Sequence, residues 1–336
     1  MENFEKYELL NIYCGEIPEF IRKFAAAREM QRLKYVGMNC GCEYTRVHKE
    51  TICHRYTRFE HSVGVALIIW NFTRDIKQSL AGLFHDISTP AFAHVVDYMN
   101  GDHMTQESTE ASTTDFIEGS AEIQRLLGEY GLHTAEVSDY HVYPIADNDT
   151  PQLSADRLEY TFGNFLQYGV TDVANIARFY RDLTVGINER GEQELMFADR
   201  NIAEEFAFCT MKCSHVYVSN EDRFTMQYLA DLLKFAAESG VVSIKDLYTS
   251  EENVIEKLEQ SQVTLAKWRE YCGIRRVKVS PTPAADRYCT RVNAKRRYID
   301  PFVENIGRVT EFSEKYRADV EKFFSISFDG WMSISE

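Results

Sequence analysis

The chain has 336 residues, 44% of them hydrophobic, and a formal net charge of -15. That size and apolar content suit one large domain with appendages, and the lack of a Pro/Gly/Ser linker argues against two independent cores. The negative balance speaks against life on duplex nucleic acid, where affinity comes largely from neutralising phosphates.

The longest apolar run, residues 63–70, is far short of the roughly 20 residues that span a bilayer. The start MENFEKYELL lacks the basic and apolar regions of a signal peptide. A cytoplasmic protein with no membrane partner is expected, in which the eight cysteines read as reduced thiols.

In chain order, the first 260 residues read as mostly helical, with apolar residues at 3.6 spacing and no internal repeat. Cys40 and Cys42 in NCGCEY, with Cys53 and His54 nearby, invite a structural metal. Their C-x-C spacing is not the C-x2-C knuckle of zinc ribbons, so ordinary thiols are the expectation. His61 follows in RFEHS, then His85 and Asp86 in LAGLFHDIS. Neighbours on a helix differ by about 100° in direction, so both reach one ion only near a helix end. Ser88, Thr89 and Pro90 supply that end, with Thr89 as N-cap and Pro90 as first residue of the next helix. There, Phe92, Val95, Val96 and Met99 form one core stripe and leave His94 and Asp97 together on the opposite face. In SADRLEYTFGNFLQ at 154–167, Leu158, Phe162, Phe165 and Leu166 fall on the core side and Asp156 and Tyr160 on the other.

The alternating runs 183–188 and 192–197, flanking Glu189-Arg190-Gly191, predict a hairpin. From Lys267 to Arg297 there are ten Lys/Arg against two acids, a segment that suits either an anionic ligand or a solvated sheet edge. After Gly273, RRVKVS and RYCTRV predict a small sheet before a closing helix over 309–324. The expected fold is mainly α with a minor α+β part at the C-terminus.

Two imidazoles and two carboxylates, His61, His85, Asp86 and Asp156, make a chemically suitable set for one divalent transition metal and do not choose among Fe, Mn, Zn and Ni. Each alone is an ordinary residue, and an isolated His-Asp dipeptide is common by chance. The combination is what carries weight.

The ordered set H…HD…D resembles the HD-domain superfamily of metal-dependent phosphohydrolases. QRLKYVG at 31–37, YTRFEHSVGVA at 56–66, GLFHDISTPAFAH at 82–94 and SADRLEYTF at 154–162 are similar to the deoxynucleoside triphosphate triphosphohydrolase branch, which includes bacterial dGTPase and the SAM-and-HD protein. The likeness covers roughly residues 1–265, taken as the HD core, with 266–336 as a basic appendage packed on it. It implies metal ligation by His61, His85, Asp86 and Asp156, and a second Mg or Mn arriving with substrate. It also implies a catalytic pair His94 and Asp97, with His94 as general acid, and nucleotide contacts from Gln31, Arg58, Arg157 and Tyr160. A homo-oligomer follows from the same analogy. Thr89 stands where the family commonly has the second His of HD-x-x-H, Gln106 stands for a further histidine with His103 nearby, and Gly163-Asn164 replaces an Arg-Asp. Cations for a triphosphate are thin, with only Lys212 and His215 near Tyr217. Two other readings therefore stand beside the triphosphohydrolase: a nucleotidase or phosphomonoesterase with a remodelled pocket, and a non-catalytic nucleotide-binding regulatory module.

Overall fold

The computed structural model describes residues 7–50, 52, 56–101, 104 and 112–335. Cys53, His54, His103 and Gln106 lie outside the described residues. The N-terminal helices are α1 (Glu8–Tyr13), α2 (Glu19–Ala25), α3 (Arg28–Arg32), α4 (Arg46–Lys49), α5 (Arg58–Thr73), α6 (Ile76–Phe84), α7 (Val95–Asn100), α8 (Thr113–Gly119) and α9 (Ala121–Glu129). After these come α10 (Ala155–Gln167), α11 (Val173–Arg181), the strands β1 (Leu183–Ile187) and β2 (Gln193–Phe197), α12 (Arg200–Tyr217) and α13 (Asn220–Glu238). The remainder holds α14 (Ile244–Leu247), α15 (Glu251–Gln260), α16 (Leu265–Gly273), β3 (Val277–Ser280), β4 (Cys289–Thr290), β5 (Phe302–Val303), β6 (Gly307–Arg308), α17 (Val309–Phe312), α18 (Glu314–Phe324) and β7 (Trp331–Ile334). The protein is mainly α, as its sequence suggests.

The central helix is α5. Thr57 starts it with a capping box, its hydroxyl accepting from the Glu60 amide while the Glu60 carboxylate accepts from the Thr57 amide, which satisfies two donors that a helix end otherwise strands. Residues 63–69 are all buried, which explains the unbroken apolar run: this helix has no solvent face. Helix α6 packs closely on it because Gly82 has no side chain; a Cβ there would lie 2.3 Å from Ile69 Cδ1.

Two apolar clusters fill the molecule. One joins α1, α2, α5, α6, α9, α10 and α12 with Ile299, Val303, Tyr316 and Phe323 from the C-terminal segment. The other gathers Cys40, Cys42, Phe92, α13 and α16 with Val292 and Met332. The segment beyond 266 thus contributes to both clusters.

The predicted hairpin is present, β1 pairing antiparallel with β2 from Leu183↔Phe197 to Ile187↔Gln193. Strand β5 adds to β2 in parallel through Phe197↔Val303, and β6 completes the sheet. Arg308 of β6 grips the hairpin: its Nη1 and Nη2 donate to Glu194 at 2.6 and 2.7 Å, and its Nε and Nη2 donate to Glu189 at 3.1 and 2.9 Å.

Three local expectations are corrected. The second sheet, ordered β3-β7-β4, is completed by β7 beyond the closing helix rather than formed before it, because residues 331–334 supply the pairing that 277–280 needs. The closing helix is also two helices, interrupted at Ser313, whose hydroxyl accepts from the Tyr316 amide to start α18. The third correction is at residues 90–94. No helix starts at Pro90; Phe92 and Ala93 have φ of 63° and 44°, and α7 begins only at Val95. Tertiary packing overrides local propensity here: Phe92 is fully buried against Tyr44, and the Ala91 amide donates to the Leu247 carbonyl at 2.6 Å.

Candidate metal centre

The first turn of α5 carries His61, the end of α6 carries His85 with Asp86 just after it, and the first turn of α10, capped by Ser154, carries Asp156. These three element ends meet. His61 Nε2 lies 3.1 Å from His85 Nε2, 3.0 Å from Asp156 Oδ1 and 3.8 Å from Asp86 Oδ2. His85 Nε2 lies 3.4 Å from Asp86 Oδ2 and 3.6 Å from Asp156 Oδ1.

His61, His85 and Asp86 each present one ligand atom within 4.8 Å of the others, and Asp156 Oδ1 lies 3.0 and 3.6 Å from the two imidazole Nε2 atoms, a spacing close to that of ligands around a single transition metal with bonds of about 2.0–2.2 Å. The far sides of both imidazoles are tied. His85 Nδ1 donates to the Gly82 carbonyl at 2.7 Å, and His61 Nδ1 meets Glu159 Oε2 at 2.7 Å. Such outer contacts fix ring orientation and turn the Nε2 lone pairs toward an ion. Electrostatics agree. Burial opposes a charge on His61, yet its hydrogen bonds to Asp156 and Glu159 raise it to about 10. The carboxylates therefore hold a positive charge at this spot, and a divalent ion supplies one. Burial likewise opposes charge on Asp86, but Arg58 keeps it well below the usual carboxylate range.

Glu159 is the member that sequence reasoning missed. It is 1% exposed and also accepts from the hydroxyls of Tyr56 and Tyr13. Two glycines make room for this arrangement. A Cβ at Gly64 would sit 2.5 Å from Glu159 Oε1, and one at Gly163 would sit 2.3 Å from the Tyr56 ring. The signal was present in the sequence, since an acid at 159 falls among Leu158 and Phe162 on the stripe that faces the core.

The centre opens into a cavity of about 500 Å³. His94 lines it, 25% exposed, with Nδ1 2.9 Å from Oδ2 of the fully buried Asp97. Burial lowers the His94 pKa, Asp97 opposes that, and Arg58 and Arg297 add to it.

Of the residues expected to contact substrate, three line the cavity and one does not. Arg58 lines it, with Nη1 donating to both Asp86 oxygens at 2.8 and 3.1 Å. Arg157 lines it and clamps the 147–150 loop through Asp147, Asn148 and Thr150. Tyr160 lines it, hydrogen-bonded to Arg297. Gln31 is not brought to the cavity; its position on α3 turns the amide back to donate to the Ala25 carbonyl at 2.7 Å. Lys212 and His215 are not in the lining either. The last residues of the basic segment, Lys295 and Arg297, are.

This is a helical protein with a His/Asp cluster of three buried residues and the partly exposed Asp156 at the floor of a polar cavity. The chain belongs to the same family as the uncharacterized protein YdhJ of Bacillus subtilis (strain 168), with which it shares 32% identity over 261 residues, 76% of each chain. It is also similar to the metal-dependent phosphohydrolase cns2 of Cordyceps militaris, 26% identical over 141 residues that make up 42% of this chain and 39% of that protein. No family model matches the chain.

Proposed function

We propose that the protein is a metal-dependent phosphohydrolase of HD type, acting on a phosphorylated small molecule of nucleotide size. The observation that carries this reading is the convergence of His61 Nε2, His85 Nε2, Asp86 Oδ2 and Asp156 Oδ1 on the wall of a cavity that also holds the His94–Asp97 pair. The partial likeness to cns2 supports it. When bound, a divalent ion supplies Lewis acidity toward a phosphoryl oxygen and activates water. The chain's own part is to orient and to move a proton. Arg58 and Thr89 hold Asp86, the latter donating to Oδ1 at 2.6 Å, while Glu159 and Gly82 hold the imidazoles. His94, steadied by Asp97, is placed to protonate a leaving oxygen.

The resemblance points to deoxynucleoside triphosphates as the substrate class. One observation favours a phosphomonoester instead. Five carboxylates (Asp86, Asp147, Asp149, Asp156, Asp222) and four Lys/Arg (Arg58, Arg157, Lys295, Arg297) line the cavity. Arg58 is already bound to Asp86 and Arg157 to Asp147. A lining whose acids outnumber its cations, with two of those cations committed to carboxylates, is better suited to one phosphate than to three.

The test is a panel of nucleoside mono- and triphosphates with and without Mn2+, the products separated. Release of orthophosphate from monophosphates supports the monoesterase; release of intact triphosphate supports the triphosphohydrolase. Both activities must vanish in Asp86→Ala. Bound metal with no turnover of any substrate moves the reading to a binding module, and turnover unchanged in Asp86→Ala overturns the site.

A further inference from the structure

A second group of side chains of metal-binding type lies in the wall of the same cavity, outside the His/Asp centre. Cys42, His48 and Asp222 each present one ligand atom, all within 4.8 Å of one another. They come from the NCGC loop, α4 and the first turn of α13, so no spacing rule in the sequence joins them. All three line the cavity. We propose that they form a second metal site, for a zinc-class ion held by thiolate, imidazole and carboxylate, with an open coordination position toward the cavity.

The hydrogen-bond directions support this. The Thr45 hydroxyl donates to the Cys42 carbonyl at 2.7 Å, so it accepts from Nδ1–H of His48 at 3.0 Å. That chain fixes the tautomer. His48 Nε2 then carries the lone pair, and it faces Asp222 Oδ1 at 3.9 Å. An imidazole nitrogen and a carboxylate oxygen that face each other in this way can share one cation. The Thr225 hydroxyl donates to the Glu221 carbonyl at 2.8 Å, so at 3.3 Å it accepts from the Cys42 thiol, and that proton leaves when the thiolate takes a metal.

The backbone turns Cys42 into position. Cys40 and Gly41 both have left-handed φ, 54° and 79°, an uncommon state for a cysteine that costs free energy and persists only where packing enforces it. A Cβ at Gly41 would come within 2.7 Å of both Leu229 and Phe92, so the loop is pressed between α13 and the 90–94 turn. Separations of up to 4.8 Å, with 3.9 Å between His48 Nε2 and Asp222 Oδ1, need a modest contraction to place all three atoms at about 2.0–2.3 Å from one ion. The soft thiolate favours zinc over manganese or magnesium, and together with the carboxylate it balances a divalent charge. Three protein ligands leave a fourth position for water or for a donor atom of a bound molecule.

The test uses the full chain and does not read activity. Asp86→Ala removes a ligand of the first centre; loaded with Co2+, that variant should show a near-ultraviolet thiolate-to-cobalt charge-transfer band. The band should vanish in Asp86→Ala/Cys42→Ser, and His48→Gln on the Asp86→Ala background should weaken cobalt binding at least tenfold while keeping the thiol. Zinc content should fall from two equivalents in the wild type to one in Cys42→Ser, with far-ultraviolet circular dichroism unchanged. No band in Asp86→Ala, a band that persists without Cys42, or one equivalent of zinc in both wild type and Cys42→Ser overturns the proposal. One Cys42-dependent equivalent in the wild type that survives Asp86→Ala would uphold it while sinking the first centre.

Discussion

Glu159 Oε2 and His61 Nδ1 are 2.7 Å apart in the middle of the helical core, and this contact decides which nitrogen of the imidazole looks into the cavity. Replacing Glu159 by Gln keeps the shape and removes the charge. The expected outcome is a 10- to 100-fold loss of metal affinity, read by competition with a chelating dye, with the fold intact. Gly64→Ala should act through the same contact, because its Cβ would force the Glu159 carboxylate aside. It should weaken metal binding and cost about 1–3 kcal/mol of stability as an overpacked site. Unchanged affinity in both variants would show that Glu159 does not orient His61.

The His94–Asp97 pair gives a pH prediction. A general acid works while protonated, and burial sets the His94 pKa below the ordinary imidazole value despite Asp97. Activity should therefore fall as pH rises through that lowered value, placing the optimum of kcat/KM on the acid side of neutrality. Asp97 raises the pKa, so Asp97→Asn should move this limb further toward acid. A profile that is flat across pH 5–8, or an unshifted limb in Asp97→Asn, would remove His94 from the acid role.

Arg297 reaches the cavity beside Tyr160, to which it is hydrogen-bonded. If it holds the substrate phosphate, Arg297→Ala should raise KM by roughly 10- to 100-fold, the size of a lost charged hydrogen bond. Metal content should stay at the wild-type level. Steady-state kinetics with parallel metal analysis separates the two effects, and a variant with wild-type KM would exclude the contact.

Arg308 makes a stability prediction away from the cavity. Its removal strands Glu194, which is fully buried. Arg308→Met should cost about 3–5 kcal/mol in urea unfolding, and adding Glu194→Leu should recover much of that loss. If the single variant costs under about 1 kcal/mol, the hairpin is held by its backbone pairing alone.

Local patterns in the sequence carry a good part of this architecture. The alternation around Glu189-Arg190-Gly191 announces the hairpin, and the stripe Leu158, Phe162, Phe165 announces the buried face of α10. The segment after Pro90 was misleading because its apolar spacing fits a helix, whereas contacts of Phe92 with distant residues hold it in a left-handed turn. Glu159 hid in plain view, an acid among apolar neighbours whose partner lies 98 positions away. Lys295 and Arg297 could be seen as part of a basic run, but nothing local says where that run goes. The union of Cys42, His48 and Asp222 is of the same kind, since it exists only once α13 has docked.

The arrival of residues 295–297 at a cavity floored by residues 61, 85, 86 and 156 imposes an order of assembly. The helices that bring the His/Asp set together are all synthesised before residue 170, yet the wall that closes over them is translated some 130 residues later. A nascent chain therefore carries the His/Asp set long before it carries the enclosure, and contacts of such long sequence separation form late in folding. The cavity becomes whole only after Lys295 and Arg297 have emerged, so its floor is complete long before its wall.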